Sequence, residues 1–231
     1  MGASPWWGLA VAASPGLLFS ASGALTEPLQ VALVCAALLV WGSPRAQPGL
    51  LAGLLVACCL TKEQIVLVPA AMALDALMTR RQSGAGTWAA LAAGPAALLG
   101  WLIWVRAVMS PAELAYQDGN IGLPFTQLRG VLQLCALLRQ QDDHGAQTGT
   151  TAPSLLVATA VLLLCGTVAG LLRRDALGLV VAAFTLLTTC LGWRTLVFPH
   201  EGLRIPAVAV VLALLSLAAG TVRPAAQDQS S

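Results

Sequence analysis

Ionisable residues are scarce in this chain, so the places where they gather between apolar runs are where chemistry could be done. The tightest group is Thr61-Lys62-Glu63-Gln64, four polar residues between two apolar stretches with no Gly or Pro to open a loop. A buried ammonium is costly unless it pairs or reaches outward, so Lys62 is expected to pair with Glu63 or to snorkel. A tight polar turn accounts for the quartet equally well. A second candidate is Glu27. Thr26, Glu27 and Pro28 together read as a helix start, and an acid in a first turn is favoured by the helix dipole without any further role. The third is the stretch Trp193 to Arg204, which holds Arg194, His200, Glu201 and Arg204 and leads into the last apolar run. A helix beginning near Pro199 would align His200 and Arg204 on one face. Arginine offers a planar fork for phosphate oxygens, and histidine a proton or hydrogen bond near neutral pH. Without a function, the same stretch is an interfacial helix start whose Arg reaches lipid headgroups.

Weaker signals lie elsewhere. Asp142-Asp143-His144 combines carboxylates with imidazole, a donor set that suits a divalent cation. Three adjacent residues in a loop-like stretch cannot all point at one ion without a folded turn, so no metal ligands are assigned. Asp75, close to Arg80 and Arg81, reads as an interfacial acid. The six cysteines, at 35, 58, 59, 135, 165 and 190, contain no CxxC pair. They read as small buried hydrophobes rather than a disulfide or zinc framework. There is no Walker loop, HExxH or nucleophile elbow.

The elements that must position these residues are apolar. Hydrophobic residues make up 58% of the chain and charged residues 10%, more apolar surface than a water-soluble core could hide. A net charge of +2 without a basic block excludes nucleic acid as a partner and leaves membrane lipid. Uninterrupted apolar stretches run near 6–22, 27–42, 48–60, 64–79, 87–108, 153–172, 175–192 and 203–221. The fold expected is all-α, a polytopic transmembrane helical bundle of about eight segments over residues 1–222, followed by a short polar cytoplasmic tail at 223–231. Crossing a bilayer takes about 20 helical residues, so the second to fourth segments should stop short of one surface. Met1 to Ser20 lacks a basic n-region and reads as a membrane segment rather than a secretory signal.

Orientation follows from connector charge. Arg45, Arg80 with Arg81, Arg173 with Arg174, and Arg223 share one side if every segment crosses, and that side is assigned as cytoplasmic. Glu27, Lys62, Glu63 and the stretch from Trp193 to Arg204 then face outward. Trp101, Trp104 and Trp193 fit an outer aromatic belt, and Trp41 an inner boundary. The 109–152 connection carries Leu128, Leu132, Cys135 and Leu138 at helical spacing, as expected of an amphipathic helix lying on the membrane with Pro124 in its first turn. Gln140 to Ala152, rich in Gly and Thr, is expected to be mobile. No internal repeat supports an inverted-repeat transporter.

Three stretches, in order, resemble the GT-C superfamily of membrane glycosyltransferases, which use polyprenyl-phosphate sugar donors. They are Ser14-Pro15-Gly16 through Thr26-Glu27-Pro28-Leu29, Gly49 through Leu60-Thr61-Lys62-Glu63 to Pro69, and Pro199-His200-Glu201-Gly202-Leu203-Arg204-Ile205-Pro206. The resemblance spans most of the chain and implies an outward-facing site in a bacterial cytoplasmic membrane. It implies that Lys62 and Arg204 contact the donor phosphate, with Glu63, Arg194, His200 and Glu201 as further substrate-binding residues. Glu27 matches an acidic position that serves acceptor placement or a divalent cation. The family pattern also has two upstream helices joined by a loop bearing the catalytic base. This chain begins past that point, which implies a truncated or inactive member, or one completed by a partner subunit.

In an active member a carboxylate deprotonates an acceptor hydroxyl, which attacks the anomeric carbon with inversion as the prenyl phosphate leaves. The rival expectation is a non-enzymatic multi-pass membrane protein, a small transporter or scaffold subunit. A transporter should carry charged or broken segments at mid-depth, whereas here the ionisable residues cluster near segment ends.

Overall fold

The computed structural model describes residues 6–14, 17–18, 26–44, 47–79, 84–109, 123–126, 128–140, 143–191 and 206–221. Among the described residues the chain is all-helical. The helices are α1 (Trp6–Ala12), α2 (Glu27–Gly42), α3 (Pro48–Thr61), α4 (Leu67–Met78), α5 (Ala85–Val108), α6 (Leu128–Leu138), α7 (Asp143–Arg173), α8 (Ala176–Thr189) and α9 (Ala207–Thr221), with a 3-10 turn, Glu63–Val66, ahead of α4. Local chemistry fixes several boundaries. Pro28 and Pro48 sit in the first turns of α2 and α3, where a missing N–H costs nothing. Asp175 caps α8 by accepting the Gly178 N–H at 2.7 Å.

Most of the helices pack around an apolar core that includes Val34, Leu55, Met72, Val180, Leu212 and Ala213, and a smaller cluster joins α6 to α7. α3 lies along α5, while α7 contacts both α8 and α9, and α4 packs on α8. Backbones come close where side chains vanish. A Cβ on Gly94 of α5 would stand 2.7 Å from the Leu55 carbonyl oxygen and 2.9 Å from Cys59 Sγ. Gly170 of α7 and Gly178 of α8 touch backbone to backbone, and a Cβ on Gly166 would meet Ala213 Cβ at 2.6 Å. Gly166 and Gly170, one turn apart, thus let three helices close on one another through small residues.

Among the described residues two stretches are long and apolar enough to cross a membrane, Ala85–Val108 and Thr151–Arg173, and in each only 17% of the apolar window is buried. A core helix of a water-soluble protein would be largely covered. Here Leu99, Trp101, Leu102, Ile103 and Trp104 stand exposed around the C-terminal half of α5, which calls for an apolar surrounding. Trp101 and Trp104 also lie against each other, ring centroids 5.0 Å apart. The other apolar helices run shorter, 16 residues in α2 and 14 in α3.

Several expectations change. Asp143 to Ala152 is not loose chain but the N-terminal part of the 31-residue α7, about 46 Å long. It is anchored where buried Ala152 packs against Val131 and Cys135 of α6. α6 therefore packs Val131, Leu134, Cys135 and Leu138 against α7, while Leu132 of the expected stripe is exposed. Burial also pushes the Cys135 thiol up, with Arg139 opposing. Pro124 belongs to a turn before α6. Phe125 there adopts a left-handed φ of 63° and donates its N–H to the Thr189 carbonyl at 2.9 Å, so the helix cannot start at Pro124. All six cysteines are free, but Cys165 is exposed rather than buried.

Candidate functional site

The site begins at the break between α3 and α4. Thr61 ends α3 by donating its hydroxyl to the Cys58 carbonyl at 2.6 Å, which satisfies a carbonyl the helix leaves open. Lys62 is extended (φ −166°, ψ 137°), so the chain leaves the helix at that residue and re-enters a 3-10 turn at Glu63. Fully buried Ile65 anchors that turn, its N–H donating to the Lys62 carbonyl at 3.1 Å. The extended residue directs the Lys62 side chain away from its neighbour and toward α2.

Lys62 Nζ lies 3.5 Å from Glu27 Oε1, the side chains 21% and 3% exposed. The expected partner, Glu63, is exposed and makes no ion pair among the described residues. The reason is geometric: Glu63 opens the 3-10 turn, while Glu27 sits in the first turn of α2 facing inward. At 3.5 Å the contact is an ion pair longer than the 2.7–2.9 Å of a strong charge-assisted hydrogen bond.

One turn along α2, Gln30 is fully buried. Its Nε2 donates to Thr26 Oγ1 at 3.0 Å, while its Oε1 has no hydrogen-bond partner among the described residues. Sequence reading missed Gln30, although its spacing of three from Glu27 puts both on one helical face. Thr26 does precede the first turn as expected, but its hydroxyl serves Gln30 rather than capping α2.

Two further polar centres were not anticipated. At the far end of α2, Trp41 Nε1 donates to Asp75 Oδ2 at 2.8 Å, and both residues are buried. Asp75 is thus a packed hydrogen-bond acceptor rather than an interfacial acid, and Trp41 is a core residue rather than a boundary marker. No sequence signal links them. The second centre joins α7, α8 and α9. Arg173 Nε donates to Asp175 Oδ2 at 2.8 Å, Nη2 to Ser216 Oγ at 2.9 Å, and Nη1 to the Ser216 carbonyl. The Ser216 hydroxyl in turn donates to the Gly166 carbonyl at 2.8 Å.

Of the residues singled out from sequence, the structure brings Glu27 and Lys62 together and leaves Glu63 aside. Arg194, His200, Glu201 and Arg204 lie outside the described residues, as do the side chains of Asp142, Asp143 and His144. No group of three metal-ligating residues forms among the described residues. Compared with known proteins, the chain matches no family model, no curated protein and no solved structure.

Proposed function

We propose that this chain is a polytopic membrane protein of about eight apolar segments that acts as a GT-C-like glycosyltransferase. In this reading it moves a sugar from a polyprenyl-phosphate donor to an acceptor at the outer face. The observation that carries the proposal is the meeting of Glu27 and Lys62. Two residues distant in sequence, drawn independently from two of the three stretches that resemble the family, stand 3.5 Å apart at one end of α2 and α3. Lys62, partly exposed, would hold the donor phosphate and stabilise the charge that develops as it leaves. Glu27 would place the acceptor, and the resemblance gives Arg194, His200, Glu201 and Arg204 to the donor. The short helices around the pair suit a lipid-linked donor that enters sideways from the bilayer.

The test is sugar transfer from a polyprenyl-phosphate donor by the full chain in membrane vesicles. Lys62→Ala should lower turnover by about 10²–10³. Unchanged turnover removes Lys62 from the site. The second reading, a non-enzymatic multi-pass membrane protein, draws on the same ion pair, because Glu27 neutralises Lys62 and could simply tie α2 to the turn after α3. Absence of transfer by the wild-type chain would favour it.

Multi-pass insertion has its own test. Cys165 is exposed near the middle of the apolar part of α7. In intact vesicles it should resist a charged, water-soluble maleimide and react with a lipid-soluble one. Rapid labelling by the charged reagent would place that face in water.

A further inference from the structure

The donor-phosphate reading gives Lys62 an anion to bind, yet Lys62 already faces one. The Glu27 carboxylate is almost fully buried, with a side chain 3% exposed, whereas the Lys62 side chain is 21% exposed. Of the two side chains, that of Lys62 is therefore the more open to an incoming anion. The contact is also long, 3.5 Å, so the ammonium holds its internal partner less closely than it could hold a phosphate oxygen in a charge-assisted hydrogen bond. A second anion brought to the same ammonium must repel the first, the more strongly because burial weakens screening around Glu27. The Arg173 centre offers no such opening, since Arg173 donates to Asp175 and twice to Ser216.

We infer that Glu27 is an internal competitor of the phosphate at Lys62: the empty site is held by its own carboxylate, and anion binding is antagonistic to the Glu27–Lys62 pair. The inference rests on the reading of Lys62 as the phosphate-contacting group. It adds a consequence that reading does not contain, namely that removing the charge of Glu27 tightens anion binding while turnover falls. A carboxylate that merely positions Lys62 has the opposite signature, because its loss would loosen the ammonium and weaken binding.

The experiment measures binding of a short-chain polyprenyl phosphate to the full chain in detergent micelles, with inorganic phosphate in parallel. Glu27→Gln is expected to tighten binding about tenfold, a coupling of ordinary size between two sites. Lys62→Gln should lose binding, and the double variant should show no tightening relative to Lys62→Gln. Tightening toward polyprenyl phosphate alone identifies a lipid-linked anion. Tightening toward both anions shows that Lys62 is also reached from water, and either result supports the competitor. Unchanged or weaker binding by Glu27→Gln overturns it. Should that variant fail to fold, Glu27→Asp, which draws the charge back by one methylene, is expected to give a smaller tightening, and unchanged or weaker binding would again overturn the inference. Sugar transfer is scored separately. Tighter anion binding by Glu27→Gln with no transfer by the wild type keeps the competitor and removes the transferase reading.

Discussion

The Glu27–Lys62 end of α2 and α3 and the Arg173–Asp175 turn between α7 and α8 use the same ingredients, one cation and one carboxylate, and complete them differently. At the α7–α8 turn every named group is engaged. Arg173 reaches Asp175 and both oxygens of Ser216, Asp175 also caps α8 at Gly178, and the Ser216 hydroxyl donates to the Gly166 carbonyl. At the other pair Lys62 Nζ stands 3.5 Å from Glu27 Oε1, and the open group is a buried Gln30 oxygen one turn away that has no partner among the described residues. A completed network in a low-dielectric setting rigidifies the helices it joins, whereas an incomplete one weakens the fold unless something else completes it. The first region is therefore read as fold, and the second is where the proposed ligand would bind.

The largest effect that can break this comparison belongs to Arg173. Arg173→Ala leaves Ser216 and Asp175 without their common donor and should destabilise the protein by about 3 kcal/mol, read as the midpoint shift of unfolding in detergent. Ser216→Ala removes one link to Arg173 and one to Gly166 and should cost less, about 1 to 2 kcal/mol. Lys62→Ala comes next on the same scale, at about 1 to 2 kcal/mol, because the ammonium is partly exposed but its removal leaves a carboxylate that is only 3% exposed without it. Its effect on transfer should nonetheless be the larger of the two regions. Equal stability losses for Lys62→Ala and Arg173→Ala would make both centres structural and erase the contrast.

The sequence made some of this visible and hid the rest for physical reasons. Helix positions were legible because long apolar runs and proline starts act locally, as at Pro28 and Pro48. Glu27 and Lys62 were legible as exceptions, charges set against apolar neighbours. Their pairing was not, since adjacency in sequence favoured Glu63 and only the extended backbone at Lys62 redirects the ammonium. Asp75 was misread for a related reason. Two nearby arginines suggested an interface, but the decisive partner is Trp41 at the end of α2, 34 residues away in sequence. The length of α7 was hidden because the Gly- and Thr-rich residues before Ala152 carry weak helical preference, and the contact with α6 is made at Ala152, where that stretch ends.

The smallest predicted effect is the most diagnostic of the two regions. Gln30 is fully buried, its amide nitrogen bound to exposed Thr26 and its Oε1 without a partner among the described residues. Replacing an unsatisfied buried acceptor by an apolar group of similar size relieves a desolvation penalty, which offsets the loss of the Thr26 hydrogen bond. Gln30→Leu should therefore change stability by no more than about 1 kcal/mol in either direction. A loss above about 2 kcal/mol would mean that Oε1 has a donor inside the folded chain. The Glu27 end would then be as complete as the Arg173 turn, and its claim to await a ligand would fall with the distinction between them.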